Sequence, residues 1–302
     1  MDLVNQRRLA EADECVKRAE NHLKTSIIKM KFKPDYDSAA IEYDRAAICC
    51  RNAGDLARCR DLYLKASSMH SSNGNIFHAA KCHENAAMVC KELCDGEGSM
   101  KYMELAADGY AQSGSIDTAA MALDKAAKFL EKADPEKAVR IYQKALSLVQ
   151  QTDRSRMAGE FFNRLTKLYL KLERFSEAIS NIDNEIDMYT DVHEFGKVGQ
   201  LTTAIVLLEL VGGDSIAASK RFQKSFKCEG FEFSEDARAC ADLISSYEAG
   251  DNECFQEIFQ RPLLKSMDNE FLRLMKRLNA PDCCGNSRNA AQNEDNNADD
   301  LK

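Results

Sequence analysis

Only four prolines and fourteen glycines interrupt the 302 residues, too few to keep the alanine-, leucine-, lysine- and glutamate-rich remainder from forming long helices. No stretch approaches the roughly 18 consecutive apolar residues that a membrane-spanning helix requires, so any membrane is expected to be met from outside. Basic charge is not in excess: 41 Lys and Arg stand against 49 Asp and Glu, a formal net charge of −8. A general nucleic-acid binder needs clustered cations to displace counterions from phosphates, so no nucleic-acid partner is expected and any basic patch must be local. There is no Asn-x-Ser/Thr site, and Met1 to Ala10, with Arg7 and Arg8, lacks the apolar core of a signal peptide. The twelve cysteines are therefore expected to be reduced thiols in a cytoplasmic protein.

Sites for chemistry are equally sparse. The sequence contains no phosphate-cradling GxxxxGK[ST], no GxGxxG after a strand and no GxSxG elbow, so no enzyme and no cofactor is expected. His78 and His83 stand five apart, on different faces of a helix, and form no HExxH pattern. Cys90 and Cys94 share a face at i, i+4, but two thiols without further ligands read as packing rather than as a metal site.

What is present is a repeat with a period of 40 residues. Ala39-Ala40, Tyr43, Ala46-Ala47 is followed by Ala79-Ala80, His83, Ala86-Ala87 and then by Ala119-Ala120, Leu123, Ala126-Ala127. A second series of i, i+4, i+8 stripes keeps the period: Ala138, Tyr142, Leu146, then Ala178, Ile182, Ile186, then Ala218, Phe222, Phe226. Between helices of the first series lie partners such as Tyr63, Ala66, His70 and Met103, Ala106, Tyr110, so each period holds two helices. Turn signals fall at Asn52-Ala53-Gly54-Asp55, Ser72-Asn73-Gly74, Ser113-Gly114 and Gly212-Gly213-Asp214, and Asp134-Pro135 reads as an N-cap followed by proline at the first helical position.

Paired alanines let helix axes approach at the close end of the roughly 8–10 Å range, and large neighbours fill the gaps. One hairpin cannot bury its apolar face alone, whereas stacked hairpins share a continuous core. The expected fold is all-α: a TPR-like α-solenoid of antiparallel helical hairpins over residues 1–230, forming a twisted curved sheet. A C-terminal helical bundle over 231–280 caps it, with helical pattern at Ala237 to Leu243 and Phe271 to Leu278. Residues 281–302, rich in Asn, Asp and Ala without apolar periodicity, read as a disordered acidic tail.

Two segments suggest binding. Lys24 to Lys33 interleaves Ile27, Ile28, Met30 and Phe32 with Lys24, Lys29, Lys31 and Lys33 and carries no acid. Such a loop suits an anionic bilayer, where each lysine near lipid adds on the order of 1 kcal/mol and apolar tips add burial. The same apolar residues could instead begin helix packing. Lys81 and Asn85 have a Lys-x-x-x-Asn spacing that grips peptide carboxylates in chaperone-binding TPR grooves, although the companion cations on the next inner helix are missing. That spacing keeps open an alternative reading as a TPR-type co-chaperone or scaffold for peptide C-termini.

Hairpins, loop and tail together resemble the soluble NSF attachment protein family, its gamma branch most closely. The most specific stretches are Lys33-Pro34-Asp35-Tyr36-Asp37-Ser38-Ala39-Ala40, Asp117-Thr118-Ala119-Ala120-Met121-Ala122-Leu123, Ala133-Asp134-Pro135-Glu136-Lys137-Ala138-Val139 and Met267-Asp268-Asn269. The resemblance implies an adaptor that coats the four-helix, syntaxin-type SNARE bundle and recruits and stimulates the hexameric ATPase NSF to disassemble it in vesicle fusion and membrane traffic. It would work as a peripheral protein on the cytosolic face of secretory-pathway membranes and hydrolyse nothing itself. It implies membrane contact at Ile27 and Ile28, extended to Met30 and Phe32. It implies NSF stimulation by Leu301 behind Asp299 and Asp300, and NSF contact at Glu248 and Asp251. One departure stands out: the alpha form places lysine after the third alanine pair to meet acidic SNARE surface, where this chain has Met121. Lys125 and Lys128 on the same helix are the substitutes the sequence offers.

Overall fold

Apolar side chains recurring every three to four residues require a helix to gather them on one face, and short polar turns make successive helices antiparallel. The computed structural model describes residues 3–25, 32–152 and 155–281, and among these the chain is all-α, with no strand. Two compact units form, Met1–Arg154 and Ser155–Lys302, each built of antiparallel helical hairpins.

The first unit holds α1 (Leu3–Leu23), α2 (Tyr36–Ala53), α3 (Leu56–Ser72), α4 (Ile76–Glu92), α5 (Gly96–Gln112), α6 (Ile116–Leu130) and α7 (Pro135–Gln150), each packed on the next. Side chains also bridge alternate helices. Cys82 on α4 donates to Asp44 on α2 at 3.4 Å, Lys125 on α6 pairs with Glu84 on α4 at 2.5 Å, and Arg51 on α2 pairs with Glu92 on α4. Arg58 on α3 reaches Asp13 on α1, and Lys144 on α7 reaches Asp108 on α5 at 2.7 Å. The even helices thus stand side by side in one layer and the odd helices in another.

The alanine pairs lie between the layers. All twelve alanines of the first series are buried, as are Tyr43 and Leu123 and the partner residues Tyr63, Ala66, His70, Met103, Ala106 and Tyr110. His83 is half-buried and stacks parallel on Tyr102, ring centroids 6.3 Å apart. Close approach of α4 and α5 is fixed at Gly109, where a Cβ would stand 2.8 Å from Cβ of Ala80. Asp35, Asp55, Asn75 and Asp95, spaced by twenty, cap α2 to α5, each side chain accepting from the backbone N–H three residues on. Gly54, Gly74 and Gly114 end the preceding helices with φ of +85°, +76° and +80°, as the turn signals predict. Asp134 caps α7 by accepting from the N–H of Lys137 at 3.0 Å, with Pro135 at the first helical position.

The second unit contains α8 (Ser155–Lys171), α9 (Phe175–Asp191), a 3₁₀ turn at Phe195–Lys197, α10 (Val198–Val211), α11 (Ser215–Ser225), a second 3₁₀ turn at Phe231–Phe233, α12 (Glu235–Ala249), α13 (Asn252–Ile258), α14 (Pro262–Lys265) and α15 (Asn269–Met275). Its centre is α10, apolar nearly all round, which packs against α9, α11, α12 and α15. Ala178, Ile182 and Ile186 are buried on α9, and Ala218 on α11. The stripe fails at its last member: α11 stops at Ser225, so Phe226 falls outside the helix and is 47% exposed. It meets Phe222 and Phe231 edge-to-face, with centroids 4.9 and 5.6 Å away. Position 230/231, where the sequence suggests a cap beginning, lies inside this unit. Ala237, Leu243 and Phe271 are buried on α12 and α15, as the helical pattern predicts, whereas α15 stops at Met275 and Leu278, also buried, lies beyond it.

Candidate partner-binding surfaces

The period that builds the core also writes a surface. The positions one residue after the first alanine pair, two after the central residue and one after the second pair recur at intervals of 40 on α2, α4 and α6: Ile41, Lys81, Met121; then Arg45, Asn85, Lys125; then Ile48, Met88, Lys128. Large apolar side chains stand in the open here, with Ile48 50%, Met88 38% and Met121 54% exposed. Apolar groups on a helix face that also carries cations are the composition of a contact surface rather than of a solvated one.

Lys125 and Lys128 both sit on this face, and the structure gives each a neighbour. Lys125 pairs with Glu84, whose other oxygen accepts from the Tyr110 hydroxyl at 2.7 Å. Burial, with that carboxylate beside it, pushes the Tyr110 hydroxyl well above its ordinary value, so it stays a donor. Lys128 pairs with Asp124 one turn before it at 3.0 Å. Both lysines remain about half exposed and line a groove with Met88, Met100, Met103 and Phe129. Lys91 lies over the Phe129 ring at 5.6 Å. In both pairs the ammonium faces solvent while the carboxylate is largely covered, so a partner's acidic group can approach either lysine from outside. Lys81 is exposed and Asn85 half-buried, but the position one repeat on from Lys81 is Met121, so the carboxylate grip has no second cation there.

The Lys24–Lys33 loop is described only at its edges. Ile27, Ile28, Lys29, Met30 and Lys31 lie outside the described residues. Lys24 and Lys33 are exposed, and Phe32 is exposed by 68%. The N–H of Asp35 donates to the carbonyl of His22 at 3.0 Å, and the two side chains approach to 3.3 Å. The end of α1 and the start of α2 are thereby pinned together, so the segment between them leaves and re-enters at one point.

In the second unit Glu248 and Asp251 flank the left-handed Gly250 (φ +69°) that ends α12, and both are exposed. Asp251 has a local duty as well: it caps α13, accepting from the N–H of Cys254 at 3.0 Å. Asp299, Asp300 and Leu301 lie outside the described residues. Cys90 is buried, as a packing role predicts, whereas Cys94 lies beyond the end of α4 and is exposed, so the two do not share a helix face. Sequence reasoning passed over Ile48 and Met88. The offset of 40 that exposes Lys128 would have aligned them with it.

Comparison with known proteins follows the same extent of chain. The family model described as "Soluble NSF attachment protein, SNAP" matches residues 10–266. A gamma-soluble NSF attachment protein of Dictyostelium discoideum is 23% identical over 277 residues, 92% of this chain and 85% of that one. Its namesake in Arabidopsis thaliana is 23% identical over 97% and 99% of the two chains, and an alpha-soluble NSF attachment protein of Vitis vinifera is 21% identical over 73% and 77%. Among solved structures, BtubC from P. vanneervenii is 17% identical, covering 83% of this chain and 93% of that one at a TM-score of 0.39. The apo form of RapI is 14% identical over 83% and 77%, at a TM-score of 0.43.

Proposed function

The chain belongs to the soluble NSF attachment protein family, and we propose from that premise that it is a non-catalytic adaptor linking SNARE complexes to the ATPase NSF. The observation that carries the reading is the family match over residues 10–266, which takes in every repeat and both exposed faces described above.

In this mechanism the even-helix face of the first unit grips the side of a SNARE bundle. Ile41, Ile48, Met88 and Met121 supply apolar area, while Lys125 and Lys128, half exposed beside Glu84 and Asp124, meet acidic groups on the bundle. Met121 in place of a lysine makes this grip less dependent on charge and shifts preference toward less acidic bundles. Lys24 to Lys33 adds contact with an anionic membrane, through Ile27, Ile28, Met30 and Phe32 and the four lysines. Glu248, Asp251 and the end of the chain, Asp299, Asp300 and Leu301, meet NSF. Complementary charge there favours orientation and association rate more than affinity.

The test is ATP-dependent disassembly of a liposome-anchored SNARE complex by NSF, comparing this protein, buffer and the Leu301→Ala variant. Disassembly is expected with the intact protein and is expected to fall at least about tenfold with the variant, while binding to the bundle is kept. No disassembly above buffer, across several SNARE combinations, would overturn the adaptor reading.

A further inference from the structure

We propose that Asp44, His70 and Cys82 form a binding site for a divalent transition-metal ion of zinc's type, tying α2, α3 and α4 of the first unit together. The three residues come from three consecutive helices and supply three kinds of donor, a carboxylate oxygen, an imidazole nitrogen and a sulfur, all within 4.8 Å of one another. Cys82 Sγ stands 3.4 Å from Asp44 Oδ1, and His70 Nε2 stands 3.7 Å from Asp44 Oδ2. Tetrahedral zinc holds such ligands at about 2.0–2.3 Å, which places the donors roughly 3.3–3.8 Å apart, so the observed spacing needs only small side-chain adjustment.

Two features set this cluster apart from an ordinary buried polar contact. His70 is buried, yet Nδ1 has no hydrogen-bond partner and Nε2 lies beyond hydrogen-bond range of Asp44. A shared cation would turn the loose 3.7 Å approach of Nε2 to Asp44 into bonds from both residues to one ion. Charge also closes: one carboxylate and one thiolate neutralise a +2 ion, so a pocket that disfavours any single charge accepts the set. The donor mixture selects zinc or cobalt over magnesium or calcium, which require oxygen ligands. His78, exposed and with its ring centroid 5.4 Å from that of His70, has Nδ1 held by Asn75 Oδ1 at 2.8 Å, so the fourth position is left to water.

Binding is a ligand-for-proton exchange. The Cys82 S–H bond breaks as the sulfur–metal bond forms, and the proton leaves to solvent. Nothing is oxidised or reduced. The consequence is a clamp joining α2, α3 and α4 of the first unit.

The experiment uses the full chain with Cys94, Cys254, Cys283 and Cys284 replaced by Ser, so that exposed and tail thiols do not compete. After stripping with chelator, Zn²⁺ is titrated against a chromophoric chelator, Co²⁺ is followed by its thiolate charge-transfer absorption, and thermal unfolding is recorded with and without Zn²⁺. One ion per chain, a thiolate–cobalt band and a raised Tm are expected. Cys82→Ser and His70→Gln should each weaken binding by more than the roughly 10–100-fold that loss of an outer partner brings, with circular dichroism unchanged. If either buried variant misfolds, Asp44→Asn, at a half-buried position, must give the same loss. Absence of saturable binding, or binding that survives these variants, overturns the proposal.

Discussion

At the scale of single residues, one carboxylate contradicts its surroundings. Glu185 is buried on α9, facing Gly159 of α8, whose missing side chain leaves room for the Tyr189 hydroxyl. Burial, only partly offset by Lys197, raises its pKa from 4.5 to about 8. A folded-state pKa above the unfolded one means that the folded protein binds this proton more tightly. The contribution to stability is complete below about pH 4.5 and is lost as pH rises through about 8, at up to roughly 1.4 kcal/mol per pH unit. Glu185→Gln, which carries no ionisable proton, should flatten the profile: between about pH 5 and 8 the variant should lose on the order of 3 kcal/mol less stability than the parent. Urea unfolding at several pH values measures this, and parallel profiles for the two proteins would show that Glu185 is not the group responsible. None of this was legible in the sequence. Glu185 stands one residue before Ile186 of the buried stripe, where a charged side chain is ordinarily taken as solvent-facing.

At the scale of elements, the turns show how far sequence reaches. Gly54, Gly74, Gly114 and Gly213 announce left-handed helix ends, and each has φ near +80°. Cys94, Glu173 and His193 adopt the same conformation, with φ of +59°, +55° and +57°, without the residue that announces it. Cys94 is forty residues after Gly54 and forty before Asp134, so the period places it at a turn even though its identity does not. A β-carbon in this region costs roughly 1 kcal/mol, and Cys94 is exposed, with no buried contact to lose. Cys94→Gly should therefore stabilise the first unit by about 0.5–1 kcal/mol, less the added freedom of glycine in the unfolded chain. A lower denaturation midpoint for the variant would show that the turn gains more from the cysteine than its backbone loses. The same reasoning explains the two failures of pattern. Phe226 continues an i, i+4, i+8 stripe past the last turn of its helix, where the periodicity no longer describes direction. The Asp44, His70, Cys82 cluster is spread over three helices at separations of 26 and 12, and no spacing rule joins residues brought together by packing alone.

For the whole molecule, the proposed contacts are weak one at a time, and their value lies in being covalently linked. A protein already docked on a membrane-anchored bundle presents the Lys24–Lys33 loop to lipid at high effective concentration, and linkage of this kind can raise avidity by about 10²–10⁴ without any new contact. The pinning of Asp35 to His22 holds the end of α1 beside the start of α2. Two components act on different variables. The lysines respond to anionic lipid and to salt within a Debye length of about 10 Å at 0.1 M, whereas the apolar tips respond to neither. Replacing Ile27, Ile28 and Met30 by Ser should therefore reduce disassembly on liposomes by roughly tenfold or more at every lipid charge, while leaving disassembly of a soluble SNARE complex unchanged. Replacing Lys24, Lys29, Lys31 and Lys33 by Ala should reduce it only on anionic liposomes, and raising salt should make parent and variant converge. Equal loss in soluble and liposome-anchored reactions would mean that the loop touches protein rather than lipid, and the membrane assignment would fall while the adaptor assignment stood.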